Sequence, residues 1–475
     1  MSANGPDPRR WRALAVLCVA NFMVTVDSAI VILGLPSIQD DLRFSPGDVQ
    51  WVVSAYLISF GGLLLLGGRS SDLLGRRRMF IVGTVLFMLS SLLCGLAWNA
   101  TVLVIARVLQ GASAALMAPT ALSILSTTFD EGPERNKALG IWTANAASGA
   151  TAALLLGGPL VYGLGWEWIF LINVPIALVL VLLAPALLKE SREVGGSRGV
   201  DVVGAVTITA AVVAGVYAVA EAPKAGWTSA QTIVLLAVFV VLLGLFVVVE
   251  KKSANPLVPL GIFRSRNFDG GNLAMAVTGM FAFGLPFALT AYAQEVLGYS
   301  ALKYGFATVV FTAMAVVGAM GGQAVISKTG FRTVATIGVL LLSAGSLLLS
   351  LVSPDGTYWT DLFFGLFVFG LGLGSGVASS TVAALSSVRP EEMGLASGIN
   401  TAAFQIGGAI GVAIVSTVVV TSTTGTSPEA LTDGLSAGFL TCVAFGVVGL
   451  LVTLFVMRTP KPAVAGAEAP TPAAS

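Results

Sequence analysis

The chain alternates between long apolar runs and short polar joints from residue 13 to residue 457. A membrane-spanning helix needs about 20 mainly apolar residues, and fourteen runs have about this length. Hydrocarbon leaves exposed backbone groups unsatisfied, so these runs predict helices, whereas barrel strands would alternate over about ten residues. The predicted spans are 13–35, 48–68, 79–97, 101–127, 137–163, 168–188, 202–222, 231–249, 268–297, 303–326, 333–352, 360–386, 394–421 and 437–457.

The distribution of Lys and Arg predicts which side of the membrane each joint faces. With the N-terminus inside, 21 of the 25 Lys and Arg residues fall on the inner side. Three fall on the outer side (Arg43, Lys224 and Lys303), and Arg107 lies within a span. Basic residues accumulate in cytoplasmic loops. We therefore expect an even number of spans and both termini in the cytoplasm.

The two longest inner joints, near 190–200 and 250–268, divide the spans into groups of six, two and six. Both ends of the chain are rich in Pro and Ala and are predicted to be disordered. The expected organisation is an N-terminal tail (1–10), a first six-helix bundle (11–190), two additional helices with their linkers (191–266), a second six-helix bundle (267–458) and a C-terminal tail (459–475).

Composition excludes several classes of function. Hydrophobic residues make up 56% of the chain and charged residues 10%, against roughly 25% charged in soluble proteins. A net charge of +1 gives no basic surface for nucleic acid. The sequence has no metal-ligand cluster, no nucleophile–base pair and no GxxxxGK[ST] loop for ATP. We therefore expect no enzymatic activity, no metal and no cofactor, with a proton gradient as the energy source.

Two charged residues lie deep in apolar runs. Asp27 lies roughly 13 Å below Pro36, taken as the outer end of the first span, and Arg107 lies roughly 9 Å deep in the fourth. A charge at the centre of a membrane helix is costly, so both should face the bundle interior. Burial and a neighbouring cation act in opposite directions on the proton affinity of a carboxylate. We expect Asp27 to be a proton site that also favours cationic substrates; a static ion pair with Arg107 is the alternative.

Histidine is absent from the chain. Proton exchange near neutral pH therefore falls to carboxylates, because the usual switch residue is missing. Glu295, at the outer end of the ninth span, is a second candidate, with an interfacial charge as the alternative. Aromatic rings can stack on flat drugs, and polar groups can orient them. The candidates for lining a substrate cavity are Tyr56, Gln110, Trp142, Phe283, Tyr292 and Asn400.

The joint after the second span reads GGRSSDLLGRRRMF, with Gly68, Asp72, Gly75, Arg76 and Arg77 at the spacing G-x-x-x-D-x-x-G-R-[RK]. It resembles the signature loop between helices 2 and 3 of the major facilitator superfamily. Glycines allow a tight turn there, and the carboxylate can pair with the basic cluster or with a helix N-terminus. The resemblance implies a gate whose contacts form in one transport state and break in the other. The residue after the Asp is Leu in this chain, where the family usually has Arg.

Three further stretches strengthen the resemblance. The fourth span contains IARVLQG, similar to the family's R-x-x-Q-G segment through Arg107 and Gln110. The resemblance implies that Arg107 is also a proton-coupling residue, which resets the proton affinity of Asp27. LLLGGPLVYGLGWEWIFLINVP resembles the helix 5 segment of antiporters and the W-x-x-F-x-x-N-x-P run that follows it. GLASGINTAAFQIGGAIGVAI is a glycine-rich run typical of fourteen-span exporters. The residues that carry the antiporter segment are Gly149, Gly157, Gly158 and Pro159.

Together these motifs resemble the fourteen-span drug:H⁺ antiporter-2 family. The resemblance implies two six-helix bundles of inverted three-helix repeats, with two extra central helices, and a fifth span along the interface between the bundles. It also implies a plasma-membrane exporter of amphipathic or cationic drugs or antibiotics that exchanges them for protons by alternating access. The expected partners are small molecules, protons and lipid, and the expected state is a monomer. Export of an endogenous metabolite and proton symport remain alternatives, and a channel or sensor is less supported.

Overall fold

The computed structural model describes residues 9–129, 133–191, 201–226, 228–253, 256–388, 392–425 and 427–458. Within these ranges all regular secondary structure is helical, as the apolar runs predict. The helices are α1 (Arg10–Leu42), α2 (Trp51–Leu74), α3 (Arg76–Gly95), α4 (Ala100–Thr128), α5 (Pro133–Leu164), α6 (Trp168–Leu171), α7 (Asn173–Leu187), α8 (Val202–Ala225), α9 (Ala230–Lys252), α10 (Arg266–Ala291), α11 (Ala301–Ala307), α12 (Val309–Thr329), α13 (Phe331–Leu349), α14 (Phe363–Leu385), α15 (Met393–Ser422) and α16 (Pro428–Leu451). π-Helical turns extend α10 (Tyr292–Val296) and α16 (Val452–Val456) and precede α14 (Tyr358–Leu362).

Each of the fourteen predicted spans coincides with a helix or with two consecutive helices. The sixth span is shared by α6 and α7, and the tenth by α11 and α12. In the described ranges, twelve helical segments are long and apolar enough to cross a membrane. In α5 and α8 the apolar stretches, Leu155–Leu164 and Val203–Val219, are shorter. The all-helical, polytopic class is confirmed, and the count of fourteen spans stays a prediction.

The first helix extends beyond the predicted end of the first span. α1 continues through Pro36 to Leu42, where Arg43 closes it in the left-handed conformation with φ 54°. Proline removes one backbone donor, but membrane helices tolerate it where neighbouring groups satisfy the freed carbonyl. Ile38, beyond the proline, is fully buried and anchors this extra stretch in the core. Asp27 therefore lies farther from the helix end than the roughly 13 Å measured from Pro36.

The helices pack in two groups. α1 contacts α4, α5 and α7, while α4 contacts α2 and α3. In the second group α10 contacts α14, α15 and α16, while α14 contacts α12 and α13. Fully buried rings occupy both cores, among them Phe87 and Phe170 in the first and Phe281 and Phe369 in the second. In a bilayer such contacts stabilise through van der Waals packing rather than by removing surface from water.

The two groups meet most extensively along two helix pairs, α2 with α15 and α5 with α11, and α1 also contacts α10. α8 packs against both α2 and α15, and α9 packs against α8. The Thr209 hydroxyl of α8 donates a hydrogen bond of 2.9 Å to the Gly62 carbonyl of α2. The additional helices therefore lie beside the α2–α15 contact, outside both groups.

Two buried carboxylates fix the chain at the ends of this helix pair. Asp201 caps α8, and its Oδ1 accepts the Gly204 N–H at 2.6 Å. Glu250, in the last turns of α9, accepts the Val258 N–H at 3.0 Å. These bonds determine where the chain enters α8 and where it leaves α9 towards the second group.

Candidate functional site

Asp27 and Arg107 form an ion pair in the interior of the first group. Arg107 Nη1 lies 2.9 Å from Asp27 Oδ2, and both side chains are 0% exposed. α1 supplies the carboxylate and α4 the guanidinium. The sequence predicts similar depths for Asp27 and Arg107, and in the structure the two side chains are in direct contact. This fits the need of each charge on an apolar helix for a polar partner.

Two neutral side chains complete the shell of Asp27. Gln110 Nε2 and Asn173 Nδ2 each donate to Asp27 Oδ1 at 2.8 Å. Gln110 lies three residues after Arg107, so both face the same side of α4. Asn173 is the first residue of α7. Both carboxylate oxygens therefore accept hydrogen bonds, Oδ2 from α4 and Oδ1 from α4 and α7. An ionised carboxylate in a dry site requires such donors.

Arg107 is held independently of Asp27. Its Nε donates to the Val52 carbonyl of α2 at 2.8 Å, and its guanidinium carbon lies 4.2 Å from the centre of the Tyr56 ring. Phe170 offers a second ring at 5.6 Å. Nη2 is buried without a hydrogen-bond partner among the described residues. A cation held by a carbonyl and two rings can stay in place when the carboxylate changes its charge.

Gln110 links the ion pair to α3. Its Oε1 accepts Arg107 Nη1 at 2.6 Å, and its Nε2 also donates to Ser91 Oγ at 2.8 Å. The Cys94 thiol lies 3.5 Å from Gln110 Oε1. The network thus connects α1, α2, α3, α4 and α7. A change of charge at Asp27 therefore acts on five helices at once.

The sequence offered the ion pair as an alternative and did not predict its shell. Asn173 was visible as the Asn of the W-x-x-F-x-x-N-x-P run, a polar residue in an apolar span, yet nothing in the chain indicated its partner. Tyr56 and Gln110, predicted to line a substrate cavity, lie in this network and are fully buried.

The predicted gate loop turns at Gly75, whose φ of 105° favours glycine. The Arg77 and Arg78 backbone N–H groups donate to the two carboxylate oxygens of Glu190 at 3.1 and 3.3 Å. The Arg76 N–H donates to the Ser191 carbonyl at 2.9 Å. A carboxylate at a helix N-terminus is stabilising, so the chain after α7 holds the start of α3.

Glu190 was not predicted to act in this loop. Asp72 lies in α2, and its side chain falls outside the described residues. Gly68 lies beside Pro119 of α4, where an added Cβ would be 3.7 Å from the proline Cβ. The described contacts of the loop are therefore those with Glu190, and the gating role expected of Asp72 stays a prediction.

The predicted antiporter segment lies on α5, between α1 and α11. A Cβ on Gly149 would lie 3.1 Å from Thr25, and one on Gly157 would lie 2.8 Å from Ile30, both residues of α1. A Cβ on Gly158 would lie 2.6 Å from the Leu302 Cα and 2.7 Å from the Ala301 carbonyl oxygen. Pro159 is exposed. Gly157 and Gly158 thus face opposite helix groups and allow close approach to each.

A cavity of ≈ 300 Å³ opens between the groups where α1 and α10 end and α16 begins. We call it the outer cavity, because this end is the predicted outer side. Glu295 lines it, together with Ser416 of α15. The remaining cavity candidates lie elsewhere. Trp142 packs on the first core, and Phe283 makes an edge-to-face contact with Phe404. Tyr292 donates to the Ser353 carbonyl, and Asn400 donates to Asn272. Within the described ranges, no group of three or more Cys, Asp or Glu side chains is placed to hold a metal ion.

Known proteins resemble this chain over nearly its whole length. A sequence profile of the Major Facilitator Superfamily matches residues 17–412 and 271–474. The puromycin resistance protein pur8 of Streptomyces alboniger is 39% identical over 95% of this chain and 91% of its own length. The cephamycin export protein CmcT of Amycolatopsis lactamdurans is 36% identical over 96% of this chain and 94% of its own.

A solved structure shares the fold. A bacterial homologue of the human lysosomal transporter Spinster, in an inward-facing and unoccupied conformation, aligns with a TM-score of 0.68 at 16% identity. The alignment covers 96% of this chain and 100% of that chain. The predicted resemblance is confirmed, and the molecule is a multi-pass membrane transporter rather than an enzyme. The chain belongs to the Major Facilitator Superfamily.

Proposed function

We propose that this chain exports small drug-like molecules from the cytoplasm across the plasma membrane in exchange for protons. The relatives named as resistance or export proteins for puromycin and cephamycin support the export of antibiotics. The observation that carries the coupling to protons is the buried Asp27–Arg107 pair, whose carboxylate accepts bonds from Arg107, Gln110 and Asn173. The chain's own proton exchange then needs no cofactor.

The proton step follows from the geometry of the pair. In the described arrangement the Asp27 charge is compensated by Arg107 and by two amide donors. A proton arriving on Oδ2 would displace the Arg107 bond and remove the charge that holds α1 against α4 and α7. Arg107 would remain on the Val52 carbonyl and the Tyr56 ring. Protonation therefore loosens α1 while leaving α4 in place, which favours the alternate packing of the first group.

The topology is part of the same proposal. Fourteen spans place 21 of the 25 basic residues on the cytoplasmic side, together with both termini. In this arrangement α1–α7 and α10–α16 are the two bundles that rock about the α2–α15 and α5–α11 contacts. α8 and α9 are the two additional spans, and the working unit is a monomer.

The proposal predicts that substrate efflux requires Asp27. A susceptibility panel in an efflux-deficient bacterium first identifies a drug to which the chain gives resistance that a protonophore removes. In inverted vesicles loaded with a pH gradient, adding this drug then dissipates the gradient. We expect Asp27→Asn to reduce this dissipation at least tenfold, because asparagine cannot exchange a proton.

The matched control is Asp355→Asn, which removes an exposed aspartate of the α13–α14 loop and should leave the signal unchanged. Full gradient dissipation by Asp27→Asn would contradict proton exchange at this site. Uptake of a nutrient with protons, in place of drug resistance, would favour symport instead.

A further inference from the structure

The start of α8 and the end of α9 bring two buried carboxyl groups together. Asp201 is 9% exposed and Glu250 is 4% exposed. A Cβ on Gly204 would lie 2.8 Å from Glu250 Oε1 and 3.0 Å from Asp201 Cγ. Asp201 also acts electrostatically on Glu250. The two carboxyl groups therefore face the same small space, which exists because Gly204 has no side chain.

Each of these carboxyl groups has one oxygen with a donor and one oxygen without. Asp201 Oδ1 accepts the Gly204 N–H at 2.6 Å, and Glu250 Oε2 accepts the Val258 N–H at 3.0 Å. Asp201 Oδ2 and Glu250 Oε1 are buried and have no hydrogen-bond partner among the described residues. Two ionised carboxylates can only accept hydrogen bonds, whereas a single proton turns one of them into a donor. One proton would therefore satisfy both free oxygens.

No cationic side chain in the described part of the chain forms an ion pair with either carboxyl group. α15, which packs against α8, has no charged residue. The charged residues of the other adjoining elements are Lys251 and Lys252 at the exposed end of α9, the exposed Arg264 of the turn Leu260–Arg264, and Arg69 and Asp72 of α2. Two like charges in one buried site disfavour each other, which favours a proton on one of the two carboxyl groups.

The surroundings of the pair suit a proton better than a metal ion. A Ca²⁺ ion takes about six to eight oxygen ligands, and no group of three or more acidic or thiol side chains occurs in the described ranges. A pair that shares one proton keeps a single negative charge at the N-terminus of α8, where the helix dipole favours an anion. A divalent cation would remove this charge.

We propose that Asp201 and Glu250 form a second proton-binding site, in which the two carboxyl groups share one proton. The shared proton joins the start of α8 to the end of α9, while Glu250 also holds the Val258 segment that leads towards α10. Loss of the proton leaves two negative charges facing each other and weakens this junction. The site lies outside both helix groups and goes beyond the proposed function, whose proton step uses Asp27.

The test is infrared spectroscopy of the purified full chain in nanodiscs, because a protonated carboxyl group has a C=O stretching band that an ionised carboxylate lacks. At neutral pH we expect the unmodified chain to show a band that Asp201→Asn and Glu250→Gln each lose, since one shared proton requires both groups. The band should also disappear at alkaline pH. Asparagine caps a helix as aspartate does, and each new amide can donate to the remaining carboxylate, so both variants should fold.

Glu429→Gln is the matched control, since Glu429 is an exposed glutamate at the start of α16, and this variant should keep the band. The unfolding temperature gives a second readout. The folded pair holds a proton that the unfolded chain releases at neutral pH, so the folded state loses stability as the pH rises. From neutral to alkaline pH, the unfolding temperature of the unmodified chain and the control should therefore fall more steeply than that of Asp201→Asn or Glu250→Gln.

A band that neither substitution removes would overturn the proposal, and so would a band that Glu250→Gln removes while Asp201→Asn retains it, because the proton would then belong to Glu250 alone. If Ca²⁺ or Mg²⁺ raised the unfolding temperature of the unmodified chain but not of Glu250→Gln, the pair would be a metal site instead. The measurements use no drug and no gradient, so a failure of proton exchange at Asp27 would leave their outcome unchanged.

Discussion

At the scale of single residues, Asp27 and Arg107 depend on each other for burial. A buried ion pair often gains little net stability over an apolar replacement, but removing one partner leaves an uncompensated charge and costs about 3–5 kcal/mol. Asp27 has Gln110 and Asn173 as further donors, and Arg107 has Val52 and Tyr56. We therefore expect the pair to show a coupling energy between its two side chains rather than a large net contribution to the free energy of unfolding.

That coupling gives a double-mutant prediction. Arg107→Gln should destabilise the chain by about 3–5 kcal/mol, because the Asp27 carboxylate then stays buried without a cation. Adding Asp27→Asn to Arg107→Gln should restore most of this loss. The measurement is denaturant or thermal unfolding of the detergent-solubilised protein, with each single variant as a control. Strictly additive effects would show that the two side chains do not pair in the resting protein.

At the scale of helices, α5 forms one of the contacts between the two groups. Gly157 faces α1 of its own group, and Gly158 faces the α11 backbone of the other. The atoms that a Cβ on Gly158 would meet belong to the backbone, which cannot swing aside as a side chain can. Small residues at such a contact let helices approach closely in lipid, so the glycine sets the spacing between the groups where α5 meets α11.

We therefore expect Gly158→Val to separate α5 from α11 and to reduce drug efflux at least tenfold in the vesicle assay. Gly163→Val, on the same helix, is the matched control, because a Cβ at Gly163 would meet nothing within 4 Å. Expression and unfolding temperature of both variants show whether the loss reflects folding or movement. Equal efflux by the two variants would mean that close approach at Gly158 does not matter for transport.

At the scale of the whole molecule, α8 bridges two helices that belong to different groups. It contacts α2 and α15 together, and Thr209 bonds to the α2 backbone. Any movement that changes the α2–α15 contact must therefore also change how α8 packs against these two helices. In the proposed transport cycle α8 and α9 would therefore move with this contact, while Asp201 and Glu250 hold the ends of the helix pair.

The sequence predicted what depends on one segment at a time. Apolar run length predicted the helices, and the cost of a charge in lipid predicted that Asp27 and Arg107 face inward. It could not predict contacts that depend on how distant helices align, such as Asn173 on Asp27 or Glu190 at the start of α3. The continuation of α1 past Pro36 could not be predicted either, because the effect of proline on the backbone is offset by packing that only the folded chain shows.

In the proposed function, Asp27 exchanges a proton during transport. The most direct measurement is proton release from the purified full chain in weakly buffered detergent solution, followed with a pH-sensitive dye after adding a transported drug. We propose that drug binding favours the ion-paired arrangement over the protonated one, and the assay is run at a pH at which part of the drug-free chain carries the proton. The unmodified chain should then release protons when the drug binds, and Asp27→Asn should release none while still binding it. Equal proton release from both proteins would contradict the claim and leave Asp27–Arg107 as a static ion pair.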